Sequence, residues 1–111
     1  MNLNEYQARA LETAVYKKPI PGLPLYPALG LAGEAGEVAE KVKKGMRDDR
    51  FDPHLTAKEV GDVLWYVAVL AYDLGYTLDQ IAKINLEKLK LRKELDLIKG
   101  SGDTREEVAS K

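Results

Sequence analysis

Two pairs of carboxylates carry the chemistry this sequence suggests. Glu34 and Glu37 stand three residues apart in Glu-Ala-Gly-Glu, and Glu59 and Asp62 stand three apart in Glu-Val-Gly-Asp. On a helix that spacing puts both acids of a pair on one side, a turn apart. If the two helices pack antiparallel at matching heights, four carboxylates converge. Such a cluster repels itself and raises its own pKa values unless a hard divalent cation pairs with it. Donors that are all oxygen favour Mg2+, with Mn2+ as a substitute, over a thiolate-rich zinc site. A cation held there would neutralise phosphate oxygens and orient water while a carboxylate removes the water's proton, which is phosphoryl or nucleotidyl transfer chemistry. The alternative is a pair of solvated acidic faces, common on surface helices without any catalytic use. Against it stands the placement of Glu59 and Asp62 at the entrance to an otherwise apolar stretch.

Composition excludes several other chemistries. The chain has no cysteine and one histidine, His54, so disulfides, thiol nucleophiles, Cys-based zinc or iron-sulfur sites and multi-histidine metal clusters are ruled out. A net charge of -1 provides no field for non-specific polynucleotide binding. No apolar run is long enough for a membrane span, and the expectation is a soluble cytoplasmic protein with no stable polynucleotide or membrane partner. At 111 residues the chain is expected to form one domain, with residues 100–111 as a mobile tail or an arm used in assembly.

The elements that must position the acids read as four helices, with no alternating Val/Ile/Thr pattern to argue for a sheet. The first is expected over residues 4–17, with Asn4 as cap and Gln7 at the reciprocal capping position. Pro19, Pro21, Pro24 and Pro27 with Gly22 then make a loop. The second helix is expected over residues 28–44, stopped by Gly45, and the third starts at the Thr56/Glu59 capping box and reaches Asp73. The fourth, capped by Thr77 and Gln80, is expected over residues 78–97. From Val60 to Tyr72 the third helix is apolar around most of its circumference, which makes it the central helix of a bundle or one covered by another subunit. The fold class is therefore all-α, a four-helix bundle, with self-association expected.

The run Gly-Leu-Ala-Gly-Glu-Ala-Gly-Glu-Val over residues 30–38, followed by the second acidic pair, resembles the MazG-like all-α nucleotide pyrophosphohydrolases. The resemblance covers roughly residues 29–92. It implies Mg2+-dependent hydrolysis of a nucleoside triphosphate between the α and β phosphates, giving a nucleoside monophosphate and pyrophosphate, as nucleotide-pool housekeeping. It also implies a homo-oligomer. Glu34, Glu37, Glu59 and Asp62 would be the catalytic and metal-holding acids, and Asn85, Lys88 and Arg92 the phosphate-binding set. Their intervals of three and four suit one polar stripe on the fourth helix. Members often carry a further acid immediately before the first of these glutamates, where this chain has Gly33.

Trp65 and Tyr66 are candidates for a nucleobase pocket by stacking, against the alternative of core or interface packing; Tyr6 and Tyr26 are weaker candidates. Lys41, Lys43, Lys44, Arg47 and Arg50 alternate with Glu37, Glu40, Asp48 and Asp49 and read as a solvated helix end. Two alternatives in function remain at this level: a non-enzymatic helical assembly or partner-binding module, and a phosphoribosyl-ATP pyrophosphohydrolase.

Overall fold

A computed structural model describes residues 1–95, and within them the chain is all-α: four helices and no strand. These are α1 (Leu3–Leu11), α2 (Leu25–Asp48), α3 (Pro53–Asp73) and α4 (Leu78–Glu94). The expected tail at residues 100–111 lies outside the described residues. Two units separate, Met1–Leu78, which holds α1 to α3, and the chain from Asp79 onward, whose described element is α4. No helix among the described residues is long and apolar enough to cross a membrane.

Helix boundaries depart from expectation for identifiable reasons. Asn2, not Asn4, caps α1, its side chain accepting from the Glu5 amide at 2.9 Å. The helix stops a turn and a half early because its end tightens: the amides of Glu12, Thr13 and Ala14 reach back three residues, to Arg9, Ala10 and Leu11. α2 begins at Leu25, so that Pro27 sits in the first turn, where a missing N–H costs nothing. It runs through Gly45 and ends where Asp49 turns left-handed (φ 54°) and the Arg50 amide closes back onto the Gly45 carbonyl at 2.9 Å. Gly45 sits in a tight place: a Cβ there would press on Phe51 and the Arg50 carbonyl at 3.0–3.1 Å.

α3 starts one turn before the Thr56/Glu59 pair. Asp52 is its cap, accepting from the amides of His54 and Leu55, and Pro53 takes the first helical position. His54 is therefore in a helical first turn, exposed, rather than in a connector. The helix ends at Asp73, as its pattern predicts; Gly75 then adopts φ 89° and the Tyr76 amide bonds to the Ala71 carbonyl.

α3 packs against both α1 and α2, the central role its apolar circumference predicts. Ala68, Val69 and Ala71 of α3, Ala10 of α1 and Pro27 of α2 are buried. Gln7 is a buried polar residue in this packing and is fully used: its amide donates to the carbonyls of Ala68 (3.0 Å) and Tyr76 (3.1 Å), and its oxygen accepts from the Leu78 amide (3.2 Å). A buried amide without partners would be costly. Gln7 thus serves as an internal tie rather than a capping residue.

Candidate active site: a carboxylate triangle and an aromatic pocket

Packing of α2 against α3 brings the two acidic pairs to one place. Glu34, Glu59 and Asp62 each offer a carboxylate oxygen, and the three oxygens all lie within 4.8 Å of one another. Glu34 and Glu59 are half-buried and Asp62 is exposed. Glu37, exposed one turn further along α2, stands outside this triangle, yet its charge is felt by Glu34. The Glu34 carboxyl is held above the ordinary carboxylate range by desolvation first, then by the charges of Asp62, Glu59 and Glu37.

The donor set fits a hard divalent cation. Oxygens bound to one Mg2+ at about 2.0–2.1 Å stand no more than roughly 4.2 Å apart, so a triangle of this width closes by small side-chain rotations. A cation would replace the mutual repulsion with attraction and bring Glu34 back toward its ionised form.

Phenols border the acids. Burial and then the Asp62 charge raise the Tyr6 hydroxyl above its ordinary pKa. The Tyr66 hydroxyl is raised by its hydrogen bond with Tyr26, by burial, and by the charges of Glu34 and Asp62 among others. The Tyr66 ring lies directly against α2 at Gly30, where a Cβ would overlap three of its carbons. Gly30 is one turn before Glu34, so a glycine is needed where the ring and the helix meet.

The aromatic residues form a chain. Trp65 meets Tyr66 edge-on, with centroids 4.9 Å apart and planes at 87°; Tyr66 and Tyr26 are tilted at 6.2 Å; Tyr26 stacks on Tyr16 at 4.9 Å and 8°. Trp65, Tyr26 and Tyr16, with Thr13, Val15, Leu25 and Leu29, line a cavity of about 520 Å³. The Trp65 indole N–H is already engaged, donating to Thr13 Oγ1 (2.8 Å) and the Ala10 carbonyl (3.2 Å), so it presents its ring rather than a donor. Trp65 lies one turn beyond Asp62 on α3, and Leu29 lies less than two turns before Glu34 on α2. Tyr66 is not part of the cavity wall but backs Trp65 and faces the acids.

The remaining sequence candidates separate. Lys43 and Lys44 pair with Glu40, and Arg47 with Asp48, as a solvated helix end should. On α4, Asn85 is exposed, Lys88 half-buried and Arg92 buried. Sequence reasoning ranked Tyr26 low and passed over Thr13 and Tyr16. Their signal was faint, since Thr13 and Tyr16 fall past the point where α1 ends and Tyr26 stands between prolines, so helical periodicity does not mark which way these side chains turn.

A model of the MazG nucleotide pyrophosphohydrolase domain matches residues 26–95. The chain belongs to the MazG family. The Gene 37 protein of Mycobacterium phage L5 is 44% identical over 117 residues, an alignment covering 95% of this chain and 100% of that protein. No solved structure matches the chain. Within this MazG chain the matched span contains both acidic pairs, Trp65, Tyr66 and the α4 set, whereas Thr13, Val15 and Tyr16 of the cavity wall precede it.

Proposed function

We propose that this MazG-family chain hydrolyses a nucleoside triphosphate between its α and β phosphates, with Mg2+ as cofactor and Mn2+ as a substitute. The observation that carries the reading is the convergence of Glu34, Glu59 and Asp62 from two helices onto one triangle of oxygens within 4.8 Å. These three would hold the cation, whose contribution when bound is to neutralise phosphate oxygens and favour departure of pyrophosphate.

Glu37, close to the triangle but outside it, is left to orient a water and take its proton as the water oxygen attacks the α-phosphorus. The bond from that phosphorus to the bridging oxygen breaks, pyrophosphate leaves, and the proton passes from Glu37 to solvent. The cavity lined by Trp65 and Tyr26 takes the nucleobase by stacking, with Tyr66 as backing. Asn85, Lys88 and Arg92 are proposed as phosphate contacts on their chemistry: an amide donor, a point charge and a bidentate fork. The chain acts in the cytoplasm, where its substrates are. It self-associates, a reading supported by apolar side chains that stay exposed on α2 and α3, among them Leu29, Val42, Met46, Val60 and Tyr72.

The test is pyrophosphate release from a panel of canonical and modified nucleoside triphosphates, with phosphoribosyl-ATP alongside, with and without Mg2+. Wild-type protein is expected to release pyrophosphate, and Glu59→Ala and Asp62→Ala to abolish release while helical content and solution mass persist. Folded wild-type protein that releases none from any substrate refutes the proposal.

A further inference from the structure

One wall of the aromatic cavity is carried by the connector between α1 and α2, residues 12–24, which has no regular structure. Its backbone hydrogen bonds lie at its two ends, from the Glu12, Thr13 and Ala14 amides to Arg9, Ala10 and Leu11 and from the Leu23 and Leu25 amides to Ile20 and Leu23. Side chains hold the middle. Tyr16 donates its hydroxyl proton to Asp73 Oδ2 at 2.7 Å, and Lys18 pairs with Asp73 Oδ1 at 3.3 Å. Asp73 sits at the last position of α3, with its side chain only 7% exposed. The same Tyr16 ring lies parallel to Tyr26.

From these contacts we infer that Asp73 is a positioning residue for nucleobase binding: by tethering Tyr16 it holds the loop wall, and through the stack Tyr26, against the space in front of Trp65. The inference rests on the proposed reading of the cavity as the base pocket. A short charge-assisted hydrogen bond to a buried carboxylate is a strong tether. By contrast, a loop of this length loses its placement readily when its contacts are removed, because ordering each residue costs conformational entropy. Lys18 is 62% exposed, so its ion pair contributes little and the Tyr16 bond carries the tether. Asp73 lies more than three helical turns from Asp62, so it acts on the base and not on the acids.

The chain has one tryptophan, Trp65, and it lies in this cavity, so its emission reports occupancy without turnover. Nucleoside monophosphates carrying each of the four common bases would be titrated against wild-type, Asp73→Ala, Asp73→Asn and Tyr16→Phe proteins, and KM and kcat measured for the matching triphosphates. Asp73→Ala and Tyr16→Phe are expected to weaken monophosphate binding and raise KM by about tenfold, with kcat within about twofold of wild type. Asp73→Asn keeps a neutral acceptor for Tyr16 and should recover part of the affinity, with kcat near wild type in all three variants separating lost positioning from a general loss of folded protein. Unchanged affinity in Tyr16→Phe and Asp73→Ala, or a kcat that falls as far as KM rises, overturns the inference. Wild-type protein that releases pyrophosphate while no monophosphate alters Trp65 emission also overturns it and leaves the carboxylate reading standing. Absence of pyrophosphate release in wild type is the separate failure of that reading.

Discussion

Adding one methyl group at Gly30 should destabilise the chain, and adding it at Gly33 or Gly36 should do the opposite. All three glycines are interior to α2. At each, Gly→Ala removes unfolded-state freedom and improves helix propensity, worth about 0.5–1 kcal/mol. At Gly33 and Gly36 a Cβ meets nothing within 4 Å, so the gain is uncompensated. For a domain of this size it should raise Tm by about 2–8 °C. At Gly30 the Cβ overlaps Cε1, Cζ and Cδ1 of Tyr66, and the ring cannot yield freely because it also contacts Trp65 and Tyr26. Overpacking of that kind costs about 1–3 kcal/mol. The penalty exceeds the helix gain, leaving a net loss of up to about 2.5 kcal/mol. Urea unfolding of the single variants, and of Gly30→Ala in a Tyr66→Ala background, makes a double-mutant cycle. With the ring removed, Gly30→Ala should become stabilising like its neighbours. If Gly30→Ala stabilises wild-type protein as much as Gly33→Ala does, the Tyr66 ring does not rest on α2 and the argument placing it beside the acids fails.

Three further outcomes follow from the contacts of the acids and of Gln7. Because the folded state holds the Glu34 carboxyl above its ordinary range, it binds more protons than the unfolded chain, and stability is lost as pH rises through that window. The difference in urea midpoint between wild type and Glu34→Gln should therefore favour the variant at neutral pH and shrink on acidification. Saturating Mg2+ should stabilise the wild type, by about 2.7 kcal/mol at a hundredfold excess over Kd, and should barely stabilise Asp62→Asn; a thermal shift equal in both proteins would place the cation elsewhere. Gln7→Leu should cost about 2–4 kcal/mol, since it removes three hydrogen bonds and strands the Tyr76 carbonyl and Leu78 amide, and a Tm within about 2 °C of wild type would contradict the tie.

What could be read in advance was periodic, and what could not depended on distant partners. The three-residue spacing of Glu34/Glu37 and Glu59/Asp62 fixes a face for each pair whatever the neighbours do, and the apolar circumference of α3 called for cover on more than one side. Helix ends were harder. Gly45 reads as a stop by propensity, but the helix continues through it, with Phe51 packed close to where a Cβ would stand, and Asp49 takes the left-handed turn instead. Thr56 and Glu59 look like a capping box, yet Asp52-Pro53 starts the same helix a turn earlier with a cap and a preset φ. Gln7 bonds residues 61 to 71 positions away, and Tyr16 bonds Asp73 across 57 positions; nothing local to either residue announces its partner.

The two parts of the candidate site are held by different kinds of constraint, with consequences for how each can vary. The carboxylates sit on α2 and α3, where a side chain's position follows from helix register and the packing of two long elements. A substitution in a loop does not move them. The cavity wall in front of Trp65 is instead carried in part by residues 12–24, outside the span matched by the MazG domain, and it is held by the buried Asp73 carboxylate, the Tyr16–Tyr26 stack and the Trp65–Thr13 hydrogen bond. On the proposed reading, loop changes that preserve the Tyr16–Asp73 bond, such as exchanges at Val15, reshape the base pocket while leaving the chemistry of the acids intact. Changes that break the bond loosen the wall as a whole. On that reading the connector contributes to base preference together with Tyr26 and Trp65 on the helices, while the hydrolytic step belongs to the helix pair.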